Sequence, residues 1–412
     1  MSLGSGFRWN TFGALVGQGA SFARLLLVVA AAGPAIAGKF AIAAAIAGGA
    51  GILTEVGFRQ QFIATPLATA AQDASHKLSV AWTLNVSLRI VVAGAVLLLI
   101  AGNSFIDFAA KDTMLAALGL AAANALASMT NPKLLEQERI GNFRPNALCE
   151  SAGQLVGLAL VIACAHRDAS LGLLVVSQIT ASLAQVAASY LLVPRRALTA
   201  VGFSELMLMA RQGRPYTVIA ATSYATYGLD KIVLGLVAST PAVGAYYMAQ
   251  RIAEVPAFAF AAVVGRTVLP AYLKAEHAGP GALLDHVRSF TRAYFALFVP
   301  GYLIALAIMH ADWFAALTHN WPKAWDMLSL LLAAAIFRLG CQLLSPAMVV
   351  RNDVAVDARF KIQEAAVYVP LLILSAWHSG ATGAAICAIL VYVVSWWRRY
   401  RFVARYQAIP QS

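Results

Sequence analysis

About twelve apolar runs, each near the ~20 residues an α-helix needs to cross a bilayer, fill this chain from end to end. They fall at 11–32, 37–63, 78–101, 113–131, 147–165, 169–193, 216–238, 243–269, 290–310, 326–350, 361–377 and 380–400. In lipid a backbone must satisfy its own N–H and C=O groups, so runs of this length fold as helices. With 60% hydrophobic and 12% charged residues among 412, a soluble chain of this size would lack the polar surface it needs. The expected fold class is therefore an all-α polytopic membrane protein. The first run is long enough to span and only one Arg, Arg8, precedes it, so no cleaved signal peptide is expected.

The formal net charge of +12 would suggest nucleic acid in a soluble protein. Here the cations follow the alternation of loops, as the positive-inside rule requires, and no nucleic-acid partner is expected. With both termini cytoplasmic, that side holds Lys77, Lys133, Arg139, Arg144, Arg195, Arg196, Arg211, Arg214, Lys274, Arg288, Arg351, Arg359 and a basic tail of Arg398, Arg399, Arg401 and Arg405. The other side keeps Lys39, Lys111, Arg167 and Lys323. The longest loop, 194–215, carries GFSELMLMARQG and reads as an interfacial helix on the cytoplasmic side. It divides the chain into an N-terminal six-helix lobe, 1–193, and a C-terminal six-helix lobe with the basic tail, 216–412.

The two lobes echo each other. In one register Arg214 falls on Arg8, Thr217 on Thr11, Gly244 on Gly38, Tyr246 on Phe40 and Ala249 on Ala43. Further on, Pro346 falls on Pro132 and Glu364 on Glu150. Two copies of one membrane unit, with a site at their pseudo-symmetric interface, is a transporter pattern.

A charge at the centre of a membrane helix costs about 2.5–3.5 kcal/mol on insertion scales, so each one calls for a reason. Arg24 lies past the middle of the first span, with Gln18 and Ser21 nearby. Glu55 and Arg59 sit i, i+4 in the second span, spaced to pair. Asp230 and Lys231 lie in the seventh span, where Thr226 and Tyr227 extend a polar stripe. Arg251 and Glu254 occupy the eighth, Arg266 its cytoplasmic end, and Arg338 the tenth. Mutual neutralisation explains Glu55–Arg59 as well as any ligand does, and snorkelling suits Arg59 and Arg266. For Arg24, Asp230, Arg251 and Arg338, which come from four spans, a water-filled cavity is the favoured reading. Cations outnumber acids in this set, which suits an anionic cargo, since guanidinium forks match phosphate oxygens. Pro256 and Pro346 are expected to interrupt spans eight and ten.

Other chemistries find little footing. Gly33-Pro34-Ala35-Ile36-Ala37-Gly38-Lys39 starts like a P-loop, but Phe40 stands where Ser or Thr should meet magnesium, and a helix precedes it. The seven histidines show no metal-ligand spacing, so neither a metal nor another cofactor is expected. Cys149, Cys164, Cys341 and Cys387 form no CxxC pair. There is no GxSxG, and an enzyme is not expected.

The run YGLDKIVLGLVASTPAVGAYYMAQRIAEVP, followed by Arg266 and Leu269-Pro270, resembles the seventh and eighth helices of Wzx-type oligosaccharide flippases. These are polysaccharide transporters of the MOP superfamily, related to lipid II flippases and MATE exporters. PAIAGKFAIA with EVGFRQQFI resembles their first two helices, and LLEQERIGNFRPNALCES their loop into the fifth. The resemblance is clear over 8–275. It implies two six-helix lobes around a cationic cavity, in the bacterial inner membrane. The implied cargo is a polyprenyl-diphosphate-linked oligosaccharide, a polysaccharide or O-antigen repeat unit turned from the cytoplasmic to the outer leaflet. On this reading Arg24, Arg251 and Arg338 attract the diphosphate, with Arg59, Arg266 and Lys231 adding to the cationic set. Gln18, Thr226 and Tyr227 accept the sugar. Asp230, Glu254 and Glu55 either carry a coupled H+ or Na+ or only balance charge. A polysaccharide polymerase or assembly complex is a further partner. The alternatives are a MATE-like exporter of organic cations, which needs its acids more than its arginines, and a membrane polymerase, acyltransferase or assembly scaffold.

Overall fold

The computed structural model describes residues 3–52, 54, 57, 58, 62, 71–101, 111–140, 142–194, 198–278, 281–309, 322–350 and 354–405. Each apolar run of the sequence overlaps a helix among these residues, the second of them, 37–63, only as far as Ile52. The helices are α1 (Leu3–Ala32), α2 (Pro34–Ile52), α3 (Ala71–Ala101), α4 (Lys111–Ala127), α5 (Lys133–Arg139), α6 (Arg144–Cys164) and α7 (Leu171–Leu192). They continue as α8 (Phe203–Tyr227), α9 (Leu229–Val237), α10 (Thr240–Ala278), α11 (Ala282–Met309), α12 (Pro322–Val350) and α13 (Val354–Arg405). Among the described residues, 8 helical stretches are long and apolar enough to cross a membrane. Two compact units form, Met1–Gly235 and Leu236–Ser412.

In the first unit α6 packs on α7 and α1, while α4 packs on α7, α2 and α3. Small residues make these approaches possible. A Cβ on Gly153 would lie 2.6 Å from the Ala181 carbonyl oxygen, and one on Gly157 would lie 2.7 Å from that of Ser177. Lipid gives no hydrophobic drive between helices, so such close packing supplies the attraction. Gly157→Val should wedge α6 from α7 and cost about 1–3 kcal/mol, as overpacking does. A lowered thermal midpoint in detergent checks this. A second core, between α2, α4 and α7, is mostly alanine: Ala43, Ala47, Ala116, Ala117 and Ala121 close around Leu120, Leu171 and Val175.

Polar side chains tie off the helix ends. Buried Asn131, between α4 and α5, donates its amide to the carbonyl oxygens of Val193 (3.0 Å) and Pro194 (3.2 Å) and accepts the Lys133 N–H (3.0 Å). These are carbonyls that the end of α7 leaves without helical partners. Ser170 caps the start of α7 by accepting the Leu173 N–H at 3.2 Å.

The linker is tethered to α3. The Thr199 N–H donates to Ser79 Oγ (3.0 Å), and His76 bridges Thr199 Oγ1 (3.1 Å) and Glu205 Oε1 (2.8 Å). Glu205 also accepts the Gly202 N–H at 2.9 Å, and that bond, then His76, holds its carboxyl below the ordinary glutamate value. A lowered value means the tether is fully present above the ordinary range near ~4.3 and weakens as pH falls through the Glu205 value. Hydrogen-exchange protection factors at residues 198–206, corrected for the intrinsic rate, should therefore fall in acid, and Glu205→Gln should remove that pH dependence.

The expected interfacial helix and the start of span seven are one continuous helix, α8. Span seven is instead broken at Gly228, between α8 and α9. A Cβ there would press on the Tyr224 ring at 2.4 Å.

The second unit packs α10, α11 and α13 on α12. Its core gathers Tyr272, Val287, Tyr294, Leu339, Leu343, Leu344 and Met348. Buried Tyr294 donates its hydroxyl to the Ile336 carbonyl at 2.6 Å. The expected interruptions do not occur: α10 runs on through Pro256 and α12 through Pro346. Neighbouring helices can satisfy the backbone groups that a membrane proline frees. The last two spans are two arms of α13, folded back at Gly380, whose φ of 59° and ψ of −138° only glycine adopts without strain. The arms run antiparallel, with Phe360 against Phe402 (5.5 Å) and Tyr368 against Tyr392 (6.2 Å between ring centres).

Candidate functional site

The expected site charges among the described residues fall into three kinds. The first is a cation with only neutral company. Arg24, on α1, is 3% exposed. Its guanidinium donates to Gln154 of α6 and to Gln178 (2.9 Å) and Ser177 (3.5 Å) of α7. Its Nε has no partner. Gly157 leaves the room, since a Cβ there would meet Arg24 Nη1 at 2.7 Å. Amide dipoles thus replace water around this guanidinium, and no carboxylate among the described residues bonds it. The sequence reading expects an open, wet surrounding; the structure encloses the group in a seam of three helices. Gln18, two turns earlier on α1, is half-buried.

The second kind caps a broken helix. Lys231 Nζ lies 2.9 Å from Asp230 Oδ1 and donates to the Tyr227 carbonyl oxygen at 2.7 Å. The ammonium thus meets the C-terminal end of α8, and the carboxylate sits in the first turn of α9, accepting the Lys231 N–H at 2.9 Å. The ammonium complements the dipole at the end of α8 and the carboxylate that at the start of α9. The break at Gly228 explains why a membrane segment carries this pair. Thr226 is buried and turns its hydroxyl onto its own helix, toward the carbonyls of Ser223 (2.9 Å) and Thr222 (3.2 Å). Tyr227 is half-buried.

The third kind joins helices of the second unit. Arg338 of α12 donates to Glu254 of α10 at 2.9 Å. Arg251 Nε donates to the Tyr247 hydroxyl at 3.0 Å, with the guanidinium 5.4 Å from that ring's centre. The spacing i, i+3 suggests Arg251 as the companion of Glu254, and the direct ion pair reaches across to Arg338. Exchanging the two, as Glu254→Arg with Arg338→Glu, should recover most of the stability that either single change loses. A coupling of about 1–3 kcal/mol in a thermal-unfolding cycle is expected.

Sequence reasoning missed the largest network. Arg399, assigned by the sequence to the cytoplasmic tail, is 2% exposed on the second arm of α13. It donates to Asp357 (3.1 Å) and Glu364 (3.1 Å) of the first arm and to Ser345 of α12 (3.2 Å). Ser345 also donates to Asp357 (3.2 Å), Ser395 donates to Glu364, and Lys361 lies 3.8 Å from Asp357. The signal available was the i, i+7 spacing of Asp357 and Glu364, two turns apart on one face.

Glu55 and Arg59 lie outside the described residues, as does the side chain of Arg266. Among the described residues no group of three His, Cys, Asp or Glu side chains is placed to hold a metal ion.

No curated protein sequence matches the chain. Among solved structures it is similar to the lipid II flippase MurJ in an inward closed conformation: TM-score 0.66, 12% identity, over 96% of this chain and 86% of that one. It is also similar to a multidrug resistance MATE family transporter of the MOP superfamily. The inward-facing form gives TM-score 0.63 and 14% identity over 99% of this chain and 95% of that one. The outward-facing form gives 0.61 and 12% over 100% and 97%. A sequence family described as polysaccharide biosynthesis protein matches residues 23–281, more than half of the chain. The chain therefore belongs to the polysaccharide biosynthesis protein family, as a multi-pass membrane protein with the fold of MOP superfamily flippases and transporters.

Proposed function

We propose that this protein is a flippase that moves a polyprenyl-diphosphate-linked oligosaccharide between leaflets by alternating access. The carrying observation is Arg24: a membrane-buried guanidinium whose partners among the described residues are amides and a hydroxyl. Ionisable groups inside a membrane generally mark a substrate path, and a cation without a carboxylate partner selects a phosphate once α1 parts from α6 and α7 to admit it. Family membership supports a polysaccharide precursor as the cargo class. Similarity to both an inward-facing and an outward-facing transporter supports a fold that can present a site to either side. The isoprenoid chain would stay in the bilayer while the polar head crosses, because exposing it to water is costly. Asp230 and Glu254, each engaged by a neighbouring cation, serve here chiefly as charge balance rather than as receptors for an organic cation.

Native mass spectrometry of the protein purified from its own host tests the cargo. A bound lipid whose fragments contain a diphosphate, a polyprenyl chain and a glycan is expected. Binding of organic cations with no lipid-linked glycan at any concentration would sink the reading.

A further inference from the structure

The two arms of α13 leave an apolar cleft on the outside of the second unit. Its walls are Phe360, Val367 and Leu371 on one arm and Leu390 and Val394 on the other. Leu371, Leu390 and Val394 are 43%, 60% and 53% exposed, so this cleft opens outward rather than into the core. From Phe360 to Leu371 the helix rises about 16 Å at ~1.5 Å per residue. That is about half of the ~30 Å hydrocarbon core, the depth of one leaflet.

Only one end of the cleft is polar. There Arg398 donates to Gln363 at 2.6 Å and lies 5.5 Å from the centre of the Phe360 ring. Arg359, one turn before Gln363, is exposed, and so is Arg401, whose guanidinium stacks 3.9 Å over the Trp397 ring. No carboxylate among the described residues bonds any of these three. Glu364, which with Ser395 also lines this end, and nearby Asp357 are buried and engaged by Arg399. They therefore answer an internal cation and leave the outer ones uncompensated. Trp397, with one polar edge, belongs at headgroup depth.

We propose that this cleft holds one anionic glycerophospholipid, an acyl chain between the arms and the phosphate against Arg398, Arg359 and Arg401. The span from the polar end to Leu371 matches the depth of one leaflet with the headgroup included, the apolar walls match the methylenes, and the outer guanidiniums match the charge. The lipid would clamp the arms together from outside, independently of whatever cargo the protein moves.

The test uses the full-length protein in detergent, titrated with phosphatidylglycerol or phosphatidylcholine and read by native mass spectrometry. The wild type should retain one phosphatidylglycerol at least tenfold more tightly than phosphatidylcholine. Each lost guanidinium should weaken that preference about fivefold, the usual worth of a basic residue at an anionic surface. Arg398→Gln with Arg401→Gln should thus lower it about 25-fold. Val394→Trp, which fills the cleft from an exposed position, should reduce retention of both lipids while far-UV helicity stays unchanged. Equal retention of the two lipids by the wild type would overturn the proposal. So would unchanged retention in both variants, or full displacement of phosphatidylglycerol by one equivalent of a polyprenyl phosphate, which would assign the cleft to a cargo tail.

Discussion

Replacing Arg399 by alanine is expected to destabilise the second unit by about 3–5 kcal/mol, because removing one partner of a buried ionic network leaves the others uncompensated. Arg399 meets Asp357 and Glu364 at 3.1 Å each and is itself 2% exposed. Without it, two carboxylates face each other's charge between α12 and the arms of α13, with Lys361, at 3.8 Å, near one of them. Arg399→Lys keeps the charge but cannot fork to two acids, so its loss should be smaller. Arg399→Ala combined with Glu364→Gln should recover part of the damage, since one stranded charge goes with it. Thermal unfolding in detergent separates these outcomes. A midpoint for Arg399→Ala within a degree of wild type would mean that the network is solvated in the membrane and contributes little.

The second large effect concerns Arg24. Arg24→Ala should lower affinity for a polyprenyl diphosphate by about a hundredfold, in line with the 2–5 kcal/mol lost when one side of a buried charged contact is truncated. Stability should change far less. The variant strands Gln154, Gln178 and Ser177, which are neutral and can bond water, and it also removes a buried charge that no carboxylate among the described residues bonds. Affinity and stability should therefore move separately, whereas a merely structural arginine would move them together. Arg24→Lys should fall between, keeping the charge without the fork.

Much of this fold is written plainly in the chain, because a bilayer leaves a long apolar segment no choice but a helix. The break in span seven is not. Hydropathy averages across Gly228, and Asp230 and Lys231 look like cavity charges until α8 is seen to end at Tyr227 and α9 to begin at Leu229. The prolines mislead in the opposite direction, since packing decides whether a membrane helix yields at Pro256 or Pro346. Among the charges, Arg24 is legible because it is alone in its segment. Arg338 and Glu254 are each visible, but their pairing is a fact of tertiary packing between α10 and α12. Arg399 hides among Arg398, Arg401 and Arg405. A basic cluster at a helix end reads as a tail, and helical phase alone turns one of the four inward.

The most direct measurement is translocation by the purified protein. Liposomes holding a polyprenyl-diphosphate oligosaccharide in both leaflets are treated with a membrane-impermeant glycosidase. With wild-type protein, nearly the whole pool should be cleaved. With Arg24→Ala, cleavage should stop close to the half that protein-free liposomes expose. Wild-type liposomes that stop at half, or Arg24→Ala liposomes that match the wild type, would contradict the assignment of this buried guanidinium to a lipid-linked diphosphate.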